Sequence, residues 1–237
     1  MMTARTRNSM TASALVTGAL LTSLTAPCAT AALTADTLQA GQVVVTELMI
    51  DPTKVGDANG EWFEIYNPFA MEIDPNGLVV ESQTGSSLER FTVHGASSIL
   101  PGDYFVLGRS ASSATNGGVT VDYAWGTALS FGNTADFLRI SSPAGDLLTQ
   151  VSWTSAPSGK SLEMKTAHLP NLTQGNYVPA SSTYGLGDFG TPGMANSSPM
   201  TMNGLVAPPV PEPGTYALLG LGLGCVALSR RRRTRGN

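Results

Sequence analysis

Cysteine is nearly missing from this sequence. Of 237 residues only Cys28 and Cys225 are cysteines, and both lie in apolar terminal segments. The chain between them therefore has no thiol for a disulfide, a nucleophile or a soft metal ligand. Histidine is almost as scarce: His94 and His168 stand far apart with no HxH or HExxH pair, so a protein-only zinc site lacks donors. Positive charge is thin as well. Of the 13 Lys and Arg, seven sit in the terminal segments, leaving 6 against 16 acidic residues in the body and a net charge there of about −10. A surface so poor in clustered cations excludes nucleic acid and favours divalent cations. There is no G-x-S-x-G elbow for a serine hydrolase. "SGKS" at 158–161 has Thr154 where a phosphate loop needs glycine.

The two ends are built alike and oppositely placed. Arg5 and Arg7 precede an uncharged run, 10–24, and small residues follow at Ala29 and Ala31. This is the layout of a secretory signal peptide over 1–31, helical and cleaved after Ala31, which implies passage through the Sec export machinery. A lipoprotein reading through Cys28 is disfavoured by Pro27 immediately before it. At the other end 215–229 is uncharged and apolar, 15 residues long, reaching about 22 Å as a helix at ~1.5 Å per residue. A bilayer core of roughly 30 Å calls for about 20 residues, so this short membrane helix suits a transient stay. Arg230, Arg231, Arg232, Arg233 and Arg235 follow it and hold the extreme terminus on the cytoplasmic side, with the body outside.

With Pro211, Glu212 and Pro213 ahead of the apolar run and the arginine cluster behind it, the segment 211–235 resembles the PEP-CTERM sorting signal of bacterial exported proteins. The resemblance implies recognition by an exosortase, removal of the tail during export, and a bacterium with an extracellular polysaccharide matrix. The expected itinerary is transient residence in the inner membrane, then the cell surface or the extracellular matrix. An ordinary single-pass anchor is the alternative.

Between these ends the chain shows short β-branched and aromatic runs punctuated by Gly, Pro, Asn and Ser, with no sustained 3.6-residue apolar period. Nine runs read as strands: 42–50, 61–67, 77–82, 88–93, 104–108, 119–125, 136–141, 147–153 and 161–165. In "EWFEIYN" Trp62, Glu64 and Tyr66 share one face, and Phe63 and Ile65 the other. Turn signals every 8 to 15 residues predict an all-β, antiparallel sandwich. The segment 109–133 is Ser/Gly-rich and fits no strand pattern as a whole. The stretch 197–210 has no charge and reads as a Ser/Pro-rich extended linker.

"VVVTELMIDP" and "GEWFEIYNP", followed in order by "LPGDYFVLG", "DFLRISSPAGDLLTQVSW", "GKSLEMK" and "GTPGMAN", resemble a lamin-tail domain over 42–196. That resemblance implies an immunoglobulin-like sandwich acting as a binding or structural module with no catalysis of its own, meeting polysaccharide or surface proteins.

Several residue groups invite chemistry. "DANGE" places oxygen ligands at Asp57, Asn59 and Glu61, with Gly60 for a sharp turn, half of a calcium loop; calcium is thus the candidate cofactor. Glu61 and Glu64 are the carboxylates a membrane-anchored hydrolase would use, the enzyme alternative to a binding module. Trp125, Trp153, Tyr123, Tyr177 and Tyr184 lie near loops, where planar rings stack on sugars if exposed.

Overall fold

The structure, a computed structural model, describes residues 31–208. Its first strands are β1 (Leu33–Thr34), β2 (Val44–Met49), β3 (Trp62–Tyr66), β4 (Ile73–Asp74), β5 (Val79–Thr84) and β6 (Ser87–Thr92). Next come β7 (Tyr104–Gly108), β8 (Tyr123–Ala124), β9 (Asp136–Ser141), β10 (Leu147–Trp153), β11 (Leu162–Met164) and β12 (Thr166–His168). The last five are β13 (Asn171–Thr173), β14 (Tyr177–Pro179), β15 (Thr183–Tyr184), β16 (Asp188–Phe189) and β17 (Thr201–Asn203). A single helical turn, α1 (Asp57–Gly60), precedes β3.

Two sheets carry the fold: a six-stranded one in the order β14-β11-β2-β3-β7-β8, and a five-stranded one in the order β13-β10-β9-β5-β6. Most of their pairings are antiparallel, with β7–β8 and β10–β13 parallel. This is the antiparallel sandwich that the strand pattern predicts, of the immunoglobulin-like kind that the lamin-tail resemblance implies. Alternation along each strand sends Phe63 and Ile65 of β3, Leu48 of β2, Leu138 and Ile140 of β9 and Val151 of β10 into one core between the sheets. Burying each such side chain contributes about 1.5–3 kcal/mol.

All nine runs contain strands, and the core draws on more than those runs. The segment 109–133 is packed: it holds β8 and delivers Trp125, Leu129 and Phe131 to the core. Trp125 stacks 5.7 Å from Phe91 and lies 5.6 Å from Phe63, so this ring bridges the two sheets. Its indole N–H donates to Leu129 O at 2.9 Å, and that of Trp153 donates to Gly132 O at 2.8 Å. Both tryptophans are buried, as is Tyr177, whose hydroxyl donates to Val45 O. These three rings are therefore core residues and offer no face to a sugar.

The boundaries move outward at both ends. Leu33, Ala35 and Leu38 are buried and β1 pairs with β4, so the domain starts before residue 42. Within the stretch expected to be linker, β17 pairs in parallel with β12, and Met200, Met202 and Leu205 pack on the core. Methionine and leucine spaced among Ser and Pro supply enough apolar surface to hold that segment down. No helix among the described residues is long and apolar enough to cross a membrane. The signal helix, Ala29, the helix at 215–229, Pro211, Glu212, Pro213 and Arg230 to Arg233 lie outside the described residues, while Ala31 is their first, exposed member.

Candidate functional site: a row of buried carboxylates under a strap

In β2 and β3 the register pairs Glu47 with Glu64, and in β11 and β2 it pairs Glu163 with Glu47. Three glutamates therefore stand in one row across three adjacent strands, on the face of the six-stranded sheet that points away from the main core. All three are fully buried. Their cover is the segment 190–197, and its hydrogen bonds define what the row does.

Thr191 N–H donates to Glu47 Oε1 at 2.9 Å and its hydroxyl lies 2.8 Å from Glu47 Oε2. Ser161 Oγ makes a very short hydrogen bond to Glu47 Oε1. Glu64 accepts from Thr46 Oγ1 at 2.6 Å and from Gly193 N–H at 2.7 Å. Glu163 accepts from Ser197 N–H at 3.0 Å and Ser197 Oγ at 2.6 Å. Asn196 Nδ2 adds bonds to Thr46 O and Met164 O. No cation pairs with the row among the described residues. The carboxylates serve as acceptors for a backbone that has no ladder of its own, which is how buried polar main chain is satisfied away from regular structure.

Desolvation dominates the acidity of these groups. Burial pushes Glu47 up to about 7 against the opposing bonds from Ser161 and Thr191. Glu64 is pushed up to about 8, again by burial first, with Thr46 opposing and the neighbouring Glu47 charge adding to the rise. Thr191 Oγ1 also lies 3.2 Å from Glu163 Oε1. Its single proton serves one carboxylate at a time, so a proton held within the row completes the pairing.

Close approach is written into the strap. A Cβ at Gly190 would sit 2.9 Å from Glu47 Oε1 and 3.1 Å from Ser161 Oγ, so only glycine passes there. Beside the row, Met49, Trp62, Val106 and Val119 form a second small core, and Trp62 Nε1–H donates to Tyr184 OH at 3.1 Å. Tyr184 is thus committed to covering this face.

Glu61 does different work. Its carboxylate pairs with Arg109 at 3.0 Å and accepts from Phe131 N–H at 3.2 Å, which fastens both ends of 109–133 to the start of β3. Burial drives Glu61 up to about 8 even with Arg109 opposing. Asp57 Oδ2 lies 3.2 Å from Asn133 Nδ2, and Asn59 is exposed. Gly60 has a packing reason: a Cβ there would fall 2.4 Å from Val55 Cγ2. The structure thus does not gather Asp57, Asn59 and Glu61 as a calcium ligand set. Among the described residues no group of three His, Cys, Asp or Glu is placed to hold a metal ion. Glu61 and Glu64 likewise have separate partners.

The same use of carboxylates recurs elsewhere. Asp188 accepts from Thr53 N–H and Lys54 N–H, each at 3.1 Å. Asp136 accepts from Gly132 N–H at 2.7 Å and Gln83 N–H at 2.8 Å. The acidic excess is substantially internal: seven of the acidic residues are buried. Sequence reasoning missed the glutamate row because alternating Glu in a strand reads as solvent-facing. Outward Glu on three strands, together with a late Gly/Thr/Asn/Ser segment of matching donors, is the signal that would have found it.

A family model for the Lamin Tail Domain matches residues 37–155. A second, for the PEP-CTERM protein-sorting motif, matches residues 209–233 and marks an exosortase-sorted surface protein. No curated protein matches the chain.

Proposed function

The chain belongs to the Lamin Tail Domain family, and we propose that it is a non-catalytic display module, a β-sandwich carried out of the cell, freed of its sorting tail by an exosortase and used there to bind or build. One observation supports this most: Glu47, Glu61, Glu64 and Glu163 accept hydrogen bonds from main-chain N–H, hydroxyl or guanidinium groups, so these acids hold loops in place. Export starts with a signal peptide over 1–31 and the Sec machinery, continues with a brief stay in the inner membrane through the helix at 215–229, and ends at the surface or in the extracellular matrix.

The test is the C-terminal mass of the protein recovered separately from membranes and from medium of its host. Loss of everything after the 211–213 region is expected in the medium fraction. An intact arginine tail found only in membranes makes the chain a tethered protein instead. A hydrolase screen on polysaccharide, nucleic acid and phosphoester substrates checks the other half, and activity abolished by Glu61→Gln or Glu64→Gln in a folded protein would overturn the non-catalytic reading.

A further inference from the structure

Among the described residues no strap crosses the outer face of the five-stranded sheet. Across it the register aligns Gln150 with Arg139, Arg139 with Glu81, and Glu81 with Arg90, one row over β10, β9, β5 and β6. Arg139 grips Glu81 through one oxygen, Oε2, with Nε at 2.7 Å and Nη2 at 2.6 Å. Glu81 Oε1 accepts no hydrogen bond among the described residues, and Arg90, exposed, makes neither an ion pair nor a side-chain hydrogen bond there. The row floors a groove of about 340 Å³, walled by Val79 and by the turn at Pro143. Two of the body's 6 cations thus lie in one open groove of a protein whose body is at about −10.

That arrangement has a chemical complement. With strands about 4.8 Å apart, Arg90 and Arg139 stand roughly 10 Å from each other across the intervening Glu81. A free guanidinium presents paired donors that match a carboxylate. The half-used Glu81 accepts from hydroxyls, and the Gln150 amide both donates and accepts. Aliphatic surface at Val79 and Pro143 suits the C–H face of a sugar ring. At physiological ionic strength charges beyond about 8 Å are screened, so the groove's own charges, Arg90, Arg139 and the intervening Glu81, set its potential and leave it net positive. We propose that this groove binds a carboxylate-bearing sugar unit of an acidic polysaccharide, Arg90 taking the carboxylate and Glu81 and Gln150 the hydroxyls. This deepens the display reading, resting on it only for the place where the polymer is met.

The experiment titrates the full chain, purified in detergent, with polygalacturonate, alginate and hyaluronate, and with neutral dextran as the control. Binding to at least one acidic polymer and none to dextran is expected, weakened about 10-fold in Arg90→Ala and less in Arg90→Lys, as a charge-assisted bidentate contact requires. An unchanged melting temperature confirms that the exposed variants fold. Equal binding to dextran, no binding to any acidic polymer, or wild-type affinity in Arg90→Ala overturns the proposal. Display and cleavage are read separately by the C-terminal mass, so the two ideas fail independently.

Discussion

The two sheets turn very different outer faces to the world. On the six-stranded sheet Glu47, Glu64 and Glu163 lie under the strap at 190–197, and Met49, Trp62 and Val106 lie under Val119 and Tyr184. On the five-stranded sheet Glu81 and Arg139 keep company with exposed Gln83, Leu88 and Arg90, and nothing among the described residues crosses them. Both faces carry charge, yet one uses it to hold chain and the other leaves it available. Charge in a strand pattern therefore does not reveal which way the face points; the donors brought to it do.

Changes on the covered face should cost far more than changes on the open one. Glu47→Ala strands the buried Thr191 N–H and Ser161 hydroxyl, and at about 1–3 kcal/mol per unsatisfied group urea unfolding should show a loss of roughly 3–5 kcal/mol. A loss below 1 kcal/mol would mean that the strap is not held by this row.

Acidity sharpens the contrast next. The folded values of Glu47, at about 7, and of Glu61 and Glu64, at about 8, lie above the ordinary 4.5. Between 4.5 and 8 the folded protein thus holds more protons than the unfolded chain, and stability must fall as pH rises. The contribution is complete below about 4.5 and is lost through pH 7 to 8. At roughly 1.4 kcal/mol per unit for one group, the melting temperature should drop by several degrees from pH 5 to pH 8.5. Glu64→Gln should flatten that slope, and a wild-type slope in the variant would remove Glu64 from the account.

Smaller effects follow. Tyr184→Phe removes the acceptor of the Trp62 indole N–H and should cost about 1 kcal/mol in chemical denaturation. Leu88→Lys on the open face, where Leu88 is 52% exposed, should stay within about 0.5 kcal/mol. A large loss there would show that the open face is covered after all.

Much of the sandwich was legible because alternation has one physical cause, a face turned to a core. Phe63 and Ile65 share one face as "EWFEIYN" requires, and that face is core, but Trp62 and Glu64 on the other are buried too, under residues more than 100 positions later in the chain. Pattern reading sees one strand at a time and has no access to such a cover. The short pairs β12–β17 and β15–β16 escaped notice for a related reason: two or three residues are too few to show a period. The spacing of "DANGE" did not reveal that Glu61 points to Arg109 while Asn59 stays in solvent. The acidic excess that suggested metal was answered inside the fold by main-chain donors.

The three-residue parallel pair of β17 with β12 lies between the sandwich and the sorting tail. Toward the C-terminal end the chain passes first Val206, held by Gln42 Nε2, and then Thr201 to Asn203, counted inward to Ser197 and the strap. Glu163 holds Ser197 behind both contacts. The exit of the chain is thus moored in series, with the strap as the innermost mooring from that end.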